Sequence, residues 1–84
     1  METIGIIGLG NMGESIARAL LTNGLPRGAL TFFESSKNRT AYVEKSYNLK
    51  KAKSVSELVN KSRYIILAIK PQDSTGILEE LSSL

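Results

Sequence analysis

The stretch TIGIIGLGNMG, residues Thr3–Gly13, decides the fold because it joins a strand pattern to a glycine-rich turn. Thr3–Ile7 is rich in β-branched residues and apolar on both faces, which is typical of a strand buried between two helix layers. Gly8–Gly13 follows it directly with the spacing G-x-G-x-x-G. Asn23-Gly24 then predicts the end of a helix. The apolar face of this helix consists of Met12, Ile16, Ala17, Leu20 and Leu21. The order strand, turn, helix makes this glycine spacing informative.

Each glycine of the turn has a physical role. Gly8 allows the tight turn, Gly10 lets a pyrophosphate approach the backbone, and Gly13 lets the helix pack closely on the strand. The free amides and the dipole at the helix start favour phosphate. A turn that serves only strand–helix packing is the simpler alternative, but Gly10 has no evident packing purpose. We therefore predict the phosphate-binding site of a Rossmann-type dinucleotide domain, formed by Ile7, Gly8, Leu9, Gly10, Asn11, Met12 and Gly13.

The remaining segments alternate strands with helices. We predict strands over Ala29–Phe33 and Tyr64–Ile69, a helix over Lys37–Tyr47, and at best a short polar strand over Leu49–Lys53. The Tyr64–Ile69 segment is continuous and apolar, as in a central parallel strand. Ser54–Glu57 fits a capping box at the start of a short helix. A last helical stripe consists of Ile77, Leu78, Leu81 and Leu84. This order predicts an α/β fold, a Rossmann-type doubly wound and mostly parallel sheet, in one domain over residues 1–84.

The residues after the second strand bear on the choice of cofactor. Glu34 stands where a carboxylate would bind both ribose hydroxyls and favour NAD. The hydroxyls of Ser35 and Ser36 and the cations Lys37 and Arg39 follow at once, and these suit a 2′-phosphate. We therefore favour NADP, with NAD as the alternative. In the simpler interpretation a serine caps the next helix and both cations face water.

Composition excludes several other kinds of site. The 84 residues include no cysteine and no histidine, which excludes disulfides and cysteine-based metal sites and removes the usual acid–base residue. We predict no metal ion. The net charge of +3 does not argue for nucleic acid, and the lysines at positions 45, 50, 51 and 53 are interpreted as a solvated edge. We expect a cytoplasmic protein without a membrane partner, because there is no signal-peptide pattern and no apolar run long enough for a bilayer.

Two segments together resemble a known enzyme family. Ile4–Gly13, taken with Ala68-Ile69-Lys70-Pro71-Gln72, is similar to pyrroline-5-carboxylate reductase, and the second segment is the more specific. That family reduces pyrroline-5-carboxylate to proline with NADPH or NADH, in proline biosynthesis. The resemblance implies that Ile7–Met12 hold the pyrophosphate and that Ser35 contacts the adenosine phosphate side. It also implies that Ala68, Ile69, Lys70 and Pro71 lie beside the nicotinamide ribose and ring.

The resemblance covers the N-terminal part of that family. The longer family enzymes have a C-terminal helical domain that forms the dimer and most of the substrate pocket. We therefore expect a truncated, cofactor-binding domain without a catalytic residue, which alone has no measurable reductase activity. Glu34 and Val55 depart from the family pattern, at the cofactor's 2′-position and near the adenosine.

Two alternatives stay open. One is the coenzyme domain of an enzyme similar to β-hydroxyacid dehydrogenases, and the other is a non-catalytic nucleotide-binding or regulatory module. We also predict a homodimer, because exposed sheet edges and the final leucine stripe leave apolar surface uncovered.

Overall fold

The sheet consists of three parallel strands. The computed structural model describes residues 3–70, 72 and 74–84, and its strands are β1 (Ile4–Ile7), β2 (Leu30–Phe33) and β3 (Tyr64–Leu67). β1 lies in the centre and pairs in parallel with β2 on one side and with β3 on the other. Parallel neighbours require crossover connections, and helices supply them here. The predicted Rossmann-like α/β fold is confirmed.

In the described part of the chain, four α-helices surround the sheet. They are α1 (Asn11–Thr22), α2 (Lys37–Tyr47), α3 (Val55–Lys61) and α4 (Ser74–Ser82), and one turn of 3₁₀ helix, Arg27–Ala29, precedes β2. The bounds of α2 are those that the sequence predicted. Among the described residues, no helix is both long enough and apolar enough to cross a membrane.

Local capping signals fix the ends of the first two helices. The Ser36 side chain accepts a hydrogen bond from the backbone N–H of Arg39 at the start of α2. Asn48 ends that helix in the left-handed region, with φ of 54°. α1 ends at Asn23, and Gly24 follows with φ of 103°, as its lack of a Cβ permits.

The capping of α3 differs in one bond from the predicted box. The Ser54 hydroxyl accepts from the Glu57 N–H at 3.0 Å, as expected. The Glu57 carboxylate accepts from the N–H of Lys53, at 3.1 Å, which is the residue before the cap. The Glu57 N–H is one of the donors that the start of the helix leaves open, and the Lys53 N–H lies just outside the helix.

The predicted polar strand over Leu49–Lys53 is wrong. The segment forms a single isolated bridge, between Phe32 and Lys51, beside the edge of β2. Leu49 and Ala52 are nevertheless buried. Two buried side chains hold the segment against the core, while Lys50 and Lys53 are exposed and the ammonium of the half-buried Lys51 lies 5.1 Å from the centre of the Phe33 ring.

β3 does not lie in the centre of the sheet, where its apolar sequence placed it. It is an edge strand and ends at Leu67, two residues before the predicted end at Ile69. Tyr64, Ile65 and Leu67 are 52%, 38% and 46% exposed. Within the described residues no strand pairs with the outer edge of β3, so residues suited to burial face solvent there.

The core lies on both faces of the sheet. Ile6 packs on one face with Ala17 of α1 and Val43 of α2. Ile7 packs on the opposite face with Leu58 of α3, and α4 adds partly buried apolar residues there. The alternation of Ile6 and Ile7 thus gives each helix layer its own core, and each fully buried side chain stabilises the fold by about 1.5–3 kcal/mol.

Replacing Gly13 with alanine should destabilise the fold. A Cβ at this position would stand 1.9 Å from the Gly8 carbonyl oxygen, a backbone atom that cannot rotate away. Such overpacking costs about 1–3 kcal/mol or more, which exceeds the ~1 kcal/mol that alanine returns in a helix. In a thermal melt followed by circular dichroism, each kcal/mol should lower Tm by about 4–8 °C.

Gly10→Ala is the matched control for this substitution. A Cβ at Gly10 would meet no atom within 4 Å, and the residue's φ of −70° suits any side chain. Its Tm should stay close to that of the original chain. Equal Tm values for the original chain, Gly10→Ala and Gly13→Ala would contradict the close packing described here.

Candidate functional site

The candidate site is a cleft at the carboxyl ends of the three strands. Its volume is about 330 Å³, and a second hollow of about 530 Å³ adjoins it over the start of α1. The two hollows share Gly10, Arg39, Ala68, Ile69 and Lys70. The glycine turn, the loop after β2 and the end of β3 therefore border one space, at the edge where open parallel sheets bind ligands.

Most of the residues selected from the sequence come together here. Three of them do not line either hollow: the Leu9 side chain is fully buried in the core, Gly13 lies against Gly8, and Lys37 is exposed. Pro71 lies outside the described residues. Those that line the cleft are Ile7, Gly8, Gly10, Asn11, Met12, Glu34, Ser35, Ser36, Arg39, Ala68, Ile69 and Lys70.

Two lining residues were missed from the sequence. Phe33 is the last residue of β2 and directly precedes Glu34, so its place at a strand end could have indicated it. Ile77 belongs to α4 and reaches the cleft from the second helix layer. Its helical stripe predicted the helix but carried no signal for which site the helix would border.

The glycine turn holds the three strand ends together. Gly8 has φ of 100°, a conformation that favours glycine, and a Cβ there would lie 2.7 Å from the Ala68 carbonyl oxygen. The Gly8 N–H donates to the Phe33 carbonyl at 2.9 Å, and the Ala68 N–H donates to the Ile7 carbonyl at 2.8 Å. These bonds bring the segments after β1, β2 and β3 into contact at the floor of the cleft.

The start of α1 faces this space without a side-chain cap. Gly10 occupies the N-cap position, where no side chain bonds the first amides of the helix. The position of its missing Cβ has no neighbour within 4 Å. A helix start with open amides, approached through empty space, suits a phosphate.

Glu34 joins two walls of the cleft. The backbone N–H of Leu9, in the glycine turn, donates to Glu34 Oε1 at 2.8 Å. The backbone N–H of Ser36, in the loop after β2, donates to Glu34 Oε2 at 2.8 Å. Each carboxylate oxygen therefore already accepts one amide hydrogen bond.

A second carboxylate, Glu14, organises a polar cluster beside the turn. It accepts from Arg39 Nη2, from the Tyr42 hydroxyl at 2.9 Å and from the Tyr47 hydroxyl. Arg39 also donates from Nε to the Leu9 carbonyl, and its guanidinium lies 4.9 Å from the centre of the Tyr42 ring. Glu14 is only partly exposed and pairs with residues of α2.

This cluster changes the acidity of two of its members. The hydrogen bond from Tyr47, followed by those from Tyr42 and Arg39, holds the pKa of Glu14 below its ordinary value of 4.5, against the opposing effect of burial. The same bond to Glu14 raises the pKa of Tyr47 above its ordinary value of 10.0. Both shifts favour the ionised carboxylate beside the neutral phenol.

The folded state should therefore lose stability in acid through Glu14. Because its pKa is lower in the folded than in the unfolded chain, its contribution is present above pH 4.5 and is lost as pH falls through the folded value. Urea unfolding at several pH values between about 7 and 3 measures this loss. Glu14→Gln should lower the free energy of unfolding at pH 7. It should also reduce the loss of that free energy as the pH falls.

Glu79→Gln provides the control, since it removes one carboxylate from the exposed face of α4. In this variant the free energy of unfolding should fall with pH as it does in the original chain. If Glu14→Gln left the pH dependence as steep as before, the cluster would not hold an ionised carboxylate.

Comparisons with known proteins show which family the chain resembles. The model of the family described as NADP oxidoreductase coenzyme F420-dependent matches residues 3–84. The pyrroline-5-carboxylate reductase of Escherichia coli (strain K12) is 32% identical over 84 residues, covering 98% of this chain and 31% of that protein. That of Arabidopsis thaliana is 34% identical over 82 residues, covering 95% and 29%, and that of Mycobacterium leprae (strain TN) is 30% identical over 81, covering 96% and 27%. The resemblance seen in the sequence is confirmed, and the chain spans 27% to 31% of these relatives' length.

Proposed function

We propose that this chain, which belongs to the family described as NADP oxidoreductase coenzyme F420-dependent, is the nicotinamide-dinucleotide-binding domain of an oxidoreductase. The observation that carries the proposal is the cleft at the strand ends, where an uncapped helix start, a loop carboxylate and the end of β3 border one space. We propose further that the reaction is the reduction of 1-pyrroline-5-carboxylate to proline. The names of the relatives and the Ala68–Lys70 segment support this finer assignment.

The residues present fit a dinucleotide in a definite order along the cleft. The amides at the start of α1 suit the pyrophosphate, because Gly10 leaves the approach open. Glu34, at the end of β2, suits the adenosine ribose. Ala68–Lys70 border the other end, where the nicotinamide would lie. The bound reduced nicotinamide would supply the hydride, and the chain's own contribution is to bind and orient it.

Hydride transfer also needs an oriented substrate. In the proposed reaction the nicotinamide, which donates the hydride, and the substrate, which accepts it, must be held together. The described residues of the cleft would bind the nicotinamide. The chain spans 31% of the length of the E. coli reductase, and the described residues of the cleft are all assigned to the donor. We therefore expect the chain alone to bind the cofactor without turning over the substrate.

Binding of NADH or NADPH should depend on the open space at Gly10. Gly10→Ala places a methyl group where the pyrophosphate would approach, so we expect its affinity to fall about tenfold or more while Tm is kept. Quenching or enhancement of nicotinamide fluorescence during titration measures both ligands. Gly28→Ala is the control, because its Cβ also meets no atom within 4 Å and it lies away from the cleft.

Unchanged affinity in Gly10→Ala would contradict the proposed phosphate site. Absence of binding to the original chain would contradict the proposed function as a whole. Steady consumption of NADPH or NADH with pyrroline-5-carboxylate would contradict only the expectation of no turnover.

We also propose that the chain forms a homodimer. The exposed apolar residues of β3 support this, as do Leu78 of α4 and Leu84 after its end at 50% and 57% exposure, because such surface favours association. Light scattering over a rising concentration series should show twice the monomer mass of 9.1 kDa. A constant monomer mass at the highest concentration would contradict the proposal.

A further inference from the structure

The donors around Glu34 bear on which dinucleotide the cleft selects. An added 2′-phosphate is an anion that accepts hydrogen bonds, and a loop binds it through backbone amides, hydroxyls and cations. The two amides that join the glycine turn to the loop after β2 belong to Leu9 and Ser36. Both already donate to the Glu34 carboxylate, each at 2.8 Å. An internal anion thus occupies the backbone donors that an external anion would need.

The arginine of this cleft is also engaged. The Arg39 guanidinium pairs with Glu14 and donates to the Leu9 carbonyl. Its charge is therefore balanced by a carboxylate of α1 and does not offset Glu34. Lys37 is exposed and lines neither hollow. Among the described residues, Glu34 forms no ion pair, so no cation neutralises it through direct contact.

The same carboxylate can still accept from a ribose. An ionised carboxylate offers about four acceptor positions, of which two are used by the amides. Two remain for the two hydroxyls of an adenosine ribose that carries no phosphate. The amide bonds fix the orientation of the carboxylate beforehand, which lowers the entropy lost on binding.

We propose that Glu34 determines cofactor specificity in this chain and selects NADH over NADPH, by filling the backbone anion site that a 2′-phosphate would require. This inference rests on the proposed dinucleotide-binding function. It reverses the preference for NADP that the residue types of Ser35, Ser36, Lys37 and Arg39 had suggested. Those residues are present, but the Ser36 amide and the Arg39 charge already have partners within the chain.

Titration of the original chain with NADH and with NADPH tests the selection directly and needs no variant. We expect NADH to bind about 10- to 100-fold more tightly, the range that one hydrogen bond to a charged group supplies. ADP and 2′,5′-ADP repeat the comparison without the nicotinamide, so they isolate the effect of the 2′-phosphate. Tighter binding of NADPH than of NADH, or equal binding, would overturn the inference and leave the proposed function intact.

Glu34→Gln tests the assignment to this residue. The amide keeps the shape of the side chain but removes the charge and one acceptor, so the preference for NADH should fall at least about tenfold. Glu80→Gln, an equal change of net charge on the exposed face of α4, should keep the original ratio. Tm of each variant is measured alongside, and the ratio of the two affinities remains interpretable because both ligands bind the same folded fraction.

The outcomes separate the two proposals. If neither dinucleotide binds the original chain, the proposed function fails and this inference fails with it. If NADH is preferred but Glu34→Gln keeps the original ratio, the specificity lies elsewhere and the role of Glu34 is overturned. A preference for NADH that collapses in Glu34→Gln and persists in Glu80→Gln supports the inference.

Discussion

The close approach of the Gly13 backbone to the Gly8 carbonyl is the constraint on which the rest of the structure depends. Only a residue without a Cβ fits there, since that atom would lie 1.9 Å from the oxygen. The approach sets the start of α1 directly above the end of β1, which leaves the first amides of the helix at the carboxyl edge of the sheet. Gly8 then bonds to Phe33, and Ala68 bonds to Ile7, so the other two strands end at the same place. The cleft follows from this geometry.

Two carboxylates stabilise the turn through the two peptide groups that flank Leu9. The Leu9 N–H donates to Glu34, while the Leu9 carbonyl accepts from Arg39, which Glu14 holds in turn. The Leu9 side chain is fully buried, so the backbone of this residue is fixed by packing as well as by both polar contacts. Glu14 and Glu34 are therefore not equivalent acids. Glu14 pairs with a cation and lines neither hollow, whereas Glu34 forms no ion pair and lines the cleft, so Glu34 is the carboxylate placed to act on the charge of a ligand.

Local features were predictable from the sequence, and features that depend on distant residues were not. The bounds of α2 followed from Ser36 and Asn48, which cap it within its own segment. The position of Glu14 did not follow, because its partner Tyr47 lies 33 residues away. β3 reads as a central strand because its residues are apolar, but whether such a strand is central depends on which strands pair with it. Most of the candidate site could be named from the glycine turn and the strand ends, while Phe33 and Ile77 needed the assembled layers.

The sequence left the choice of cofactor open for a related reason. Residue types show which groups could bind a 2′-phosphate, but only contacts show which of those groups already have partners. Glu34 accepts hydrogen bonds from the backbone N–H groups of both Leu9 and Ser36. The residue that would bind the ribose therefore also satisfies two backbone donors of the fold. A polar group left without a partner is costly, so these donors need an acceptor whatever the cofactor. A sequence that loses Glu34 must replace that acceptor, and an incoming phosphate is one group able to do so. Specificity and local stability are thus coupled through one carboxylate.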